Sequence, residues 1–259
     1  MPSMPNPTPV DAEKPADVRR CKIVAIGDAS VGKTCMMYSY AHKGEFLSEH
    51  VPTLFNNFEA NIDVEDGNEK QTVNVSLWDT AGQEEFDEIR QKAYGNSGSP
   101  TSSTSSSAPN STTAGDPVNV FLVCFAWNNP QSYTSVEMKW YKDIRRVAQE
   151  MNQSIAAAKG QRGDNYGNQP MARPFSVILV GTKYDLAKEG ARRQLSSSDA
   201  ELLRRKIGAD ALVNCSSKTG EGVHDVFNRA LTAWYEKSEA ARLEKEAEKD
   251  KKGRVCAVQ

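Results

Sequence analysis

Residues 27–34 read Gly-Asp-Ala-Ser-Val-Gly-Lys-Thr: a glycine, four residues, then Gly-Lys-Thr. That spacing is the phosphate-loop pattern, and its flanks supply the context the pattern needs. Before it, Cys21-Lys22-Ile23-Val24-Ala25-Ile26 is a short, mostly apolar run of buried-strand type. After it, Thr34 to Tyr40 can continue as a helix. A strand, a glycine-bounded turn and a helix start aim several backbone N–H groups at one point, and the helix dipole reinforces them. Such a nest, built from Asp28, Ala29, Ser30, Val31, Gly32, Lys33, Thr34 and Cys35, holds polyphosphate. Lys33 reaches the outer phosphates, and the Thr34 hydroxyl is a ligand for Mg²⁺.

The rest of the chain sets bounds on this reading. At 259 residues it suits one large domain, or a small one with additions. Apolar residues make up 38% and charged residues 25%, enough for a core, but a mean hydropathy of −0.61 leaves much of the chain solvated. A net charge of −2 gives no field that favours nucleic acid. No run of eighteen apolar residues is present to span a membrane. Five prolines among the first seventeen residues, with no apolar centre, do not make a secretory signal. The five cysteines have no metal-type spacing, which points to reduced thiols and a cytoplasmic setting.

Working outward, residues 1–19 are expected as a disordered, Pro-rich extension and 20–236 as one folded domain. Phe55 to Val64 and Val73 to Trp78 alternate like two strands, with Asp66-Gly67 as the hairpin signal. The second strand runs into Asp79-Thr80-Ala81-Gly82. An acid at a strand end, with glycine three residues on, suits a water-mediated Mg²⁺ ligand and a close backbone approach to a terminal phosphate. Residues 95–117 form a Ser/Thr/Gly/Pro tract with too few apolar residues to fold, and 151–174 is a second polar insertion. Between them, Val118 to Phe125 is a buried strand and Asn129-Pro130 starts a helix to about Gln149. A further strand covers Phe175 to Gly181. Ser198-Asp199-Ala200-Glu201 has the form of a capping box for a helix closed by Gly208, and Ala211 to Asn214 is the last strand. A helix from Glu221 sets Val223, Val226, Phe227, Ala230, Leu231 and Trp234 on one face, and 237–259 is a charged tail. Strands alternating with helices predict an α/β domain.

Taken together, GDASVGKT, VPTLFNNF at 51–58, LWDTAGQEEFDEIR at 77–90, VNVFLVCFA at 118–126, Lys139-Trp140, VGTKYDL at 180–186, CSSKTGEGV at 215–223 and the terminal CAVQ resemble the Ras superfamily of small GTPases, and within it the Rho/Rac family. The resemblance covers nearly all of 20–235 apart from the two insertions. It implies the P-loop fold of the small G proteins, with a mostly parallel six-stranded sheet flanked by helices. It also implies a GDP/GTP switch that hydrolyses GTP with Mg²⁺ in cytoskeletal or polarity signalling. Thr53 would join Thr34 and, through water, Asp79 on the metal. Gln83 would orient the attacking water, Gly82 would hold the γ-phosphate, and Phe46 would lie against the guanine. Asp185 would accept from the guanine, a readout adenine cannot satisfy. Thr182 and Lys183 would flank the base, and Ser216, Ser217 and Lys218 would meet its O6. Exchange factors, activating proteins and effectors of Rho type are the implied partners.

Cys256-Ala257-Val258-Gln259 fits a prenylation signal, with terminal Gln favouring farnesyl. Four basic residues against one acid over 249–254 would support attachment to the inner face of the plasma membrane. Three departures from the Rho pattern stand out. Residues 187–197 are too few for that family's inserted helix, His50 stands where tyrosine is usual, and Ala29 replaces the second glycine of the loop. Ala29 leaves room for an alternative expectation, a poorly hydrolysing adaptor that stays loaded with GTP. A P-loop ATPase or nucleotide kinase fits less well, because TKYD and SSK specify guanine.

Overall fold

The computed structural model describes residues 19–48, 55–66, 69–80, 82, 87–95, 116–158, 173–188 and 195–256. Six strands form one sheet: β1 (Arg19–Gly27), β2 (Phe55–Asp66), β3 (Glu69–Thr80), β4 (Val120–Ala126), β5 (Ser176–Thr182) and β6 (Ala211–Asn214). Their spatial order is β2-β3-β1-β4-β5-β6. Only β2 is antiparallel, paired with β3 from Phe55 opposite Thr80 to Asp66 opposite Glu69. The fold is therefore the small G-protein P-loop architecture the sequence implies. Both strands of the hairpin are longer than their apolar alternation suggested, because the pairing extends through Glu65, Lys70 and Gln71. The hairpin's Gly67 lies outside the described residues.

The sheet is covered on both faces, which explains why β4 and β5 are apolar almost without interruption and buried at every residue. Successive side chains alternate between faces. On one, Val24 and Ile26 meet Phe121, Phe125, Trp140, Ile144 and Leu203; on the other, Ile23 and Ala25 meet Met36, Met37, Val226, Phe227 and Leu231.

The first face is closed by α3 (Pro130–Ser135), one π turn (136–140), α4 (Tyr141–Ala158) and α6 (Ser197–Ile207). Asn129 caps α3 by accepting from the N–H groups of Gln131 and Ser132. The helix ends at Ala158 rather than near Gln149, so 151–158, expected as part of a polar insertion, are its last turns. The capping box of α6 also differs from expectation: it is Ser196 with Asp199, two residues earlier. Three serines in a row leave the choice to the acid three residues on. Asp199 is free to reach back to the Ser196 N–H at 2.9 Å, whereas Glu201 is taken by Arg204 and Arg205.

The second face is closed by α1 (Lys33–Ala41) and α7 (Val223–Cys256). The stripe of α7 from Val223 to Trp234 is buried as its periodicity predicts. The helix starts at Val223 rather than Glu221, since Gly220 and Gly222 hold positive φ of 77° and 69°. Where α7 leaves the body, Arg19 fastens it: the guanidinium donates to Glu239 at 2.9 Å and Ser238 at 2.7 Å and lies 4.9 Å from the Tyr235 ring centroid. Beyond Glu239 the described side chains of α7 are exposed, and its 34 residues make a rod about 51 Å long. A short helix, α2 (Asp87–Ala93), follows β3, and another, α5 (Tyr184–Lys188), follows β5. Arg19, expected to end the disordered extension, instead opens β1, since α7 offers its guanidinium Glu239, Ser238 and the Tyr235 ring. The rest of that Pro-rich segment, 1–18, the Ser/Thr tract over 96–115 and residues 159–172 lie outside the described residues.

Candidate functional site

The site forms at the C-terminal ends of the parallel strands, where β1, β3, β5 and β6 deliver their loops to one side of the sheet. Crevices at that edge are where open α/β sheets bind ligands. Its centre is the turn from β1 to α1. Gly27 (φ 145°) lies so close to β4 that a Cβ there would be 2.3 Å from the Cys124 carbonyl oxygen. Gly32 (φ 104°) is the N-cap of α1 and has no side chain to cap it, so the first N–H groups of the helix are left for a ligand. Between them, Ser30 adopts a left-handed φ of 59°. Ala29 has no such strain and is exposed.

Lys33 is 6% exposed, and its ammonium donates to the carbonyls of Gly27 and Asp28, both at 2.8 Å. Burial lowers its pKa, and Cys124, Asp79 and Asp28 oppose that shift. The Thr34 hydroxyl donates to the Asp79 carboxylate at 2.5 Å, and Asp79 is fully buried at the end of β3. Next to it, Thr80 donates to the Ala25 carbonyl at 2.7 Å, which locks the end of β3 to β1. Gly82 rests on the turn itself: a Cβ there would be 2.3 Å from the Ala29 nitrogen and 2.4 Å from the Asp28 carbonyl carbon. Only glycine fits.

A hydroxyl and a carboxylate are hard oxygen donors, and here they meet at the mouth of the nest. Among the described residues no group of three or more His, Cys, Asp or Glu could hold a metal. A cation at this point would have one carboxylate, hydroxyls, water and phosphate oxygens around it, which is the Mg²⁺ pattern. The donor set fits that ion. Thr53 and Gln83 lie outside the described residues, as does His50.

The residues expected to meet the base reach the same turn from β5. Thr182 is 3% exposed and turned inward, its hydroxyl 2.5 Å from the Val31 carbonyl and 2.9 Å from that of Phe125. Lys183 (φ 56°) lays its chain toward the loop and donates to the Ser30 carbonyl at 2.8 Å. Asp185 stands in the first turn of α5, and the Tyr184 N–H donates to the Cys215 carbonyl at 3.0 Å. That bond brings the loop after β6 alongside. Ser216 is fully buried, while Ser217 and Lys218 are progressively more open. Phe46 is 47% exposed, and the Cys35 thiol, raised by burial, faces the Leu47 carbonyl.

Sequence reasoning missed one support. Trp127 donates from Nε1 to the Asn214 side chain at 3.0 Å, and the pair closes over Gly181, where a Cβ would be 2.4 Å from that nitrogen. A tryptophan at the end of β4 beside a glycine in β5 is a visible signal, but their adjacency depends on strand order.

A strand-to-helix phosphate nest, a strand-end aspartate and a β5 recognition segment on one sheet edge define a nucleotide-binding protein of the P-loop class. Comparison with known proteins narrows it. The Ras family model matches residues 22–99 and 111–236. The chain is 33% identical over 223 residues to the GTP-binding protein RHO4 of Eremothecium gossypii, covering 85% of this chain and 67% of that protein. It is 32% identical over 253 residues to the GTP-binding protein RHO1 of Candida albicans, covering 94% and 98%. It is 30% identical over 215 residues to the Ras-like GTP-binding protein RhoL of Drosophila melanogaster, covering 83% and 87%. The chain belongs to the Ras family and is a Rho-like small GTPase.

Proposed function

We propose that the chain is a GDP/GTP switch that hydrolyses GTP slowly and signals from membranes through the loops around Thr53 and Gln83. The observation that carries this reading is convergence. The ends of two other strands, Asp79 and Gly82 from β3 and Thr182 with Lys183 from β5, all reach residues 27–34, where Lys33 folds back on the loop's own carbonyls. Lys33 and the loop N–H groups stabilise charge on the phosphates. Thr34, Thr53 and Asp79 hold Mg²⁺, which when bound neutralises charge developing on the β- and γ-phosphate oxygens. Gly82 offers its N–H to the γ-phosphate, and Gln83 orients water for in-line attack. Loss of that phosphate releases both loops, which changes the surface offered to effectors.

Hydrolysis is slow because Ala29 places a methyl, exposed and beside Gly82, where the water and an activator's arginine must fit. Among the described residues no helix is long and apolar enough to cross a membrane. Attachment instead falls to a prenyl group on Cys256, the last residue of α7, with the basic residues of 249–254 beside it.

Single-turnover hydrolysis of GTP by the purified protein with Mg²⁺ tests the reading. The expected rate is on the order of 10⁻⁴ s⁻¹ or below, the scale of unassisted small GTPases. No phosphate release over many hours would refute hydrolysis. Asp185→Asn should transfer preference from guanine to xanthine, because the amide presents a donor where the carboxylate accepted. Unchanged GDP affinity in that variant would displace Asp185 from the base.

A further inference from the structure

Lys139-Trp140 carries part of the family resemblance, yet nothing above gives it a task. The helix that contains it widens by one π turn over 136–140, ending on Trp140. Such turns recur where a side chain is re-aimed for function. The indole is fully buried, and its Nε1–H donates to the Asp28 carboxylate at 2.8 Å. Asp28 belongs to the phosphate loop, between the Gly27 and Ala29 atoms on which Gly82 rests. From the other side, Arg90 of α2, 1% exposed, holds its guanidinium 5.1 Å from the same ring centroid. Arg90 is also ion-paired with Asp87 one turn earlier, so it moves with the start of α2.

Core packing alone does not call for this arrangement. A buried indole N–H needs an acceptor, and a phenyl ring would fill the space without that demand. The acceptor here is a side-chain oxygen of the binding loop rather than a carbonyl of the surrounding core. The ring receives two cations, Lys139 next to it in sequence at 4.8 Å and Arg90 from the segment that follows Gly82, and only Arg90 links it to α2.

We propose that Trp140 is a positioning residue that couples α2 to the phosphate loop. Displacement of α2 by a regulator is passed through Arg90 and the indole to Asp28, and so to the bound nucleotide. By linkage the path runs both ways: nucleotide state biases α2 to the same extent that an α2 ligand biases nucleotide affinity. This rests on the reading that residues 27–34 hold GDP or GTP.

The test is release of a fluorescent GDP analogue from wild type, Trp140→Phe, Arg90→Gln and the double variant. Trp140→Phe keeps the ring and loses the donor, so release should quicken about fivefold or more, the lower end of ordinary coupling. Arg90→Gln should quicken it about threefold, and the double variant should be no faster than the faster single, since members of one path do not add. Hydrogen exchange over 87–95 should differ between the GDP and GTPγS forms of wild type but not of Trp140→Phe. Val147→Ala, a cavity in the same core, should lower Tm yet leave release within about twofold. Release within about twofold of wild type for Trp140→Phe, or additive effects in the double variant, overturns the coupling. If Trp140→Phe does not fold, unchanged release in Arg90→Gln overturns it. A wild-type protein that retains no GDP overturns the nucleotide reading as well, so the two failures are distinguishable.

Discussion

Thr182→Val removes one hydroxyl and almost no volume, and that hydroxyl joins the end of β5 to the loop at 27–34. In the native protein it is 3% exposed and sits 2.5 Å from the Val31 carbonyl and 2.9 Å from that of Phe125. Valine leaves both oxygens buried against a methyl. An ordinary internal hydrogen bond contributes about 1 kcal/mol net, but a buried carbonyl left without its donor costs about 1–3 kcal/mol. A loss of about 2 kcal/mol corresponds to a fall in Tm of roughly 4–8 °C for a domain of this size. Because Val31 lies inside the nest, part of that loss is disorder that GDP must undo on binding. If half of it is recovered that way, GDP affinity falls roughly fivefold. Thermal denaturation in excess GDP and the dissociation rate of a fluorescent analogue measure the two parts. Thr182→Ser, which keeps the donor, should retain affinity while losing some stability to the missing methyl. If Thr182→Val melts within about 1 °C of wild type and releases GDP at the native rate, strand β5 and the loop are not joined through this hydroxyl.

Gly82→Ala should spare GDP and damage turnover. Its methyl would meet backbone at 2.3 Å, so the segment must retreat about 1 Å, a displacement that can cost about 10²-fold in a positioned reaction. Unchanged single-turnover hydrolysis would show that Gly82 does not set the γ-phosphate position. Ala29→Gly should raise stimulation by a Rho-type activating domain at least about tenfold, within the 10³ to 10⁵ that an arginine finger supplies. Equal stimulation of both proteins would acquit the methyl. Lys22 is 2% exposed, over the Trp78 ring at 4.0 Å, and burial lowers its pKa from 10.5 to about 8. Below pH 8 the folded state therefore carries a buried charge the unfolded chain holds freely, and this penalty is relieved as pH rises from about 8 to 10.5. Lys22→Met should gain stability over wild type at pH 7, by up to about 3 kcal/mol, and the gain should shrink by pH 10. A pH-independent difference in Tm would exclude this titration.

The phosphate loop, the order of strands and helices and the buried stripe of α7 were legible because each is a local pattern. Glycine spacing, a two-residue period and a 3.6-residue period need no knowledge of partners. What escaped depends on partners far along the chain. The three serines 196–198 leave the cap of α6 ambiguous until Glu201 is seen to be taken by Arg204 and Arg205. No periodicity reveals that helix 130–158 widens at 136–140, because the widening matters only through Asp28, 112 residues away. The left-handed backbone at Ser30 and Lys183 is likewise invisible, since neither is glycine or asparagine; tertiary contacts on both sides hold it there.

The loop's own carbonyls explain why its side chains can vary. Gly27 and Asp28 give theirs to Lys33, Ser30 to Lys183, Val31 to Thr182 and Gly32 to the Met36 N–H. Five acceptors are thus committed to protein donors. In a turn of this kind, carbonyls held on one side leave the amide N–H groups directed to the other, which makes an anion nest. Selectivity for phosphate then resides in backbone orientation, and the side chain at position 29 has no part in making it. On the proposed reading, alanine there leaves the nest intact and would act instead on turnover, in the space beside Gly82, whose Cβ position lies against the Ala29 nitrogen. Binding and hydrolysis therefore answer to different atoms of the same loop. In the proposed switch Lys33 would serve both, and its ammonium would exchange the Gly27 and Asp28 carbonyls for a phosphate. Thr182 and Lys183 approach from β5 and hold the Val31 and Ser30 carbonyls independently of Lys33.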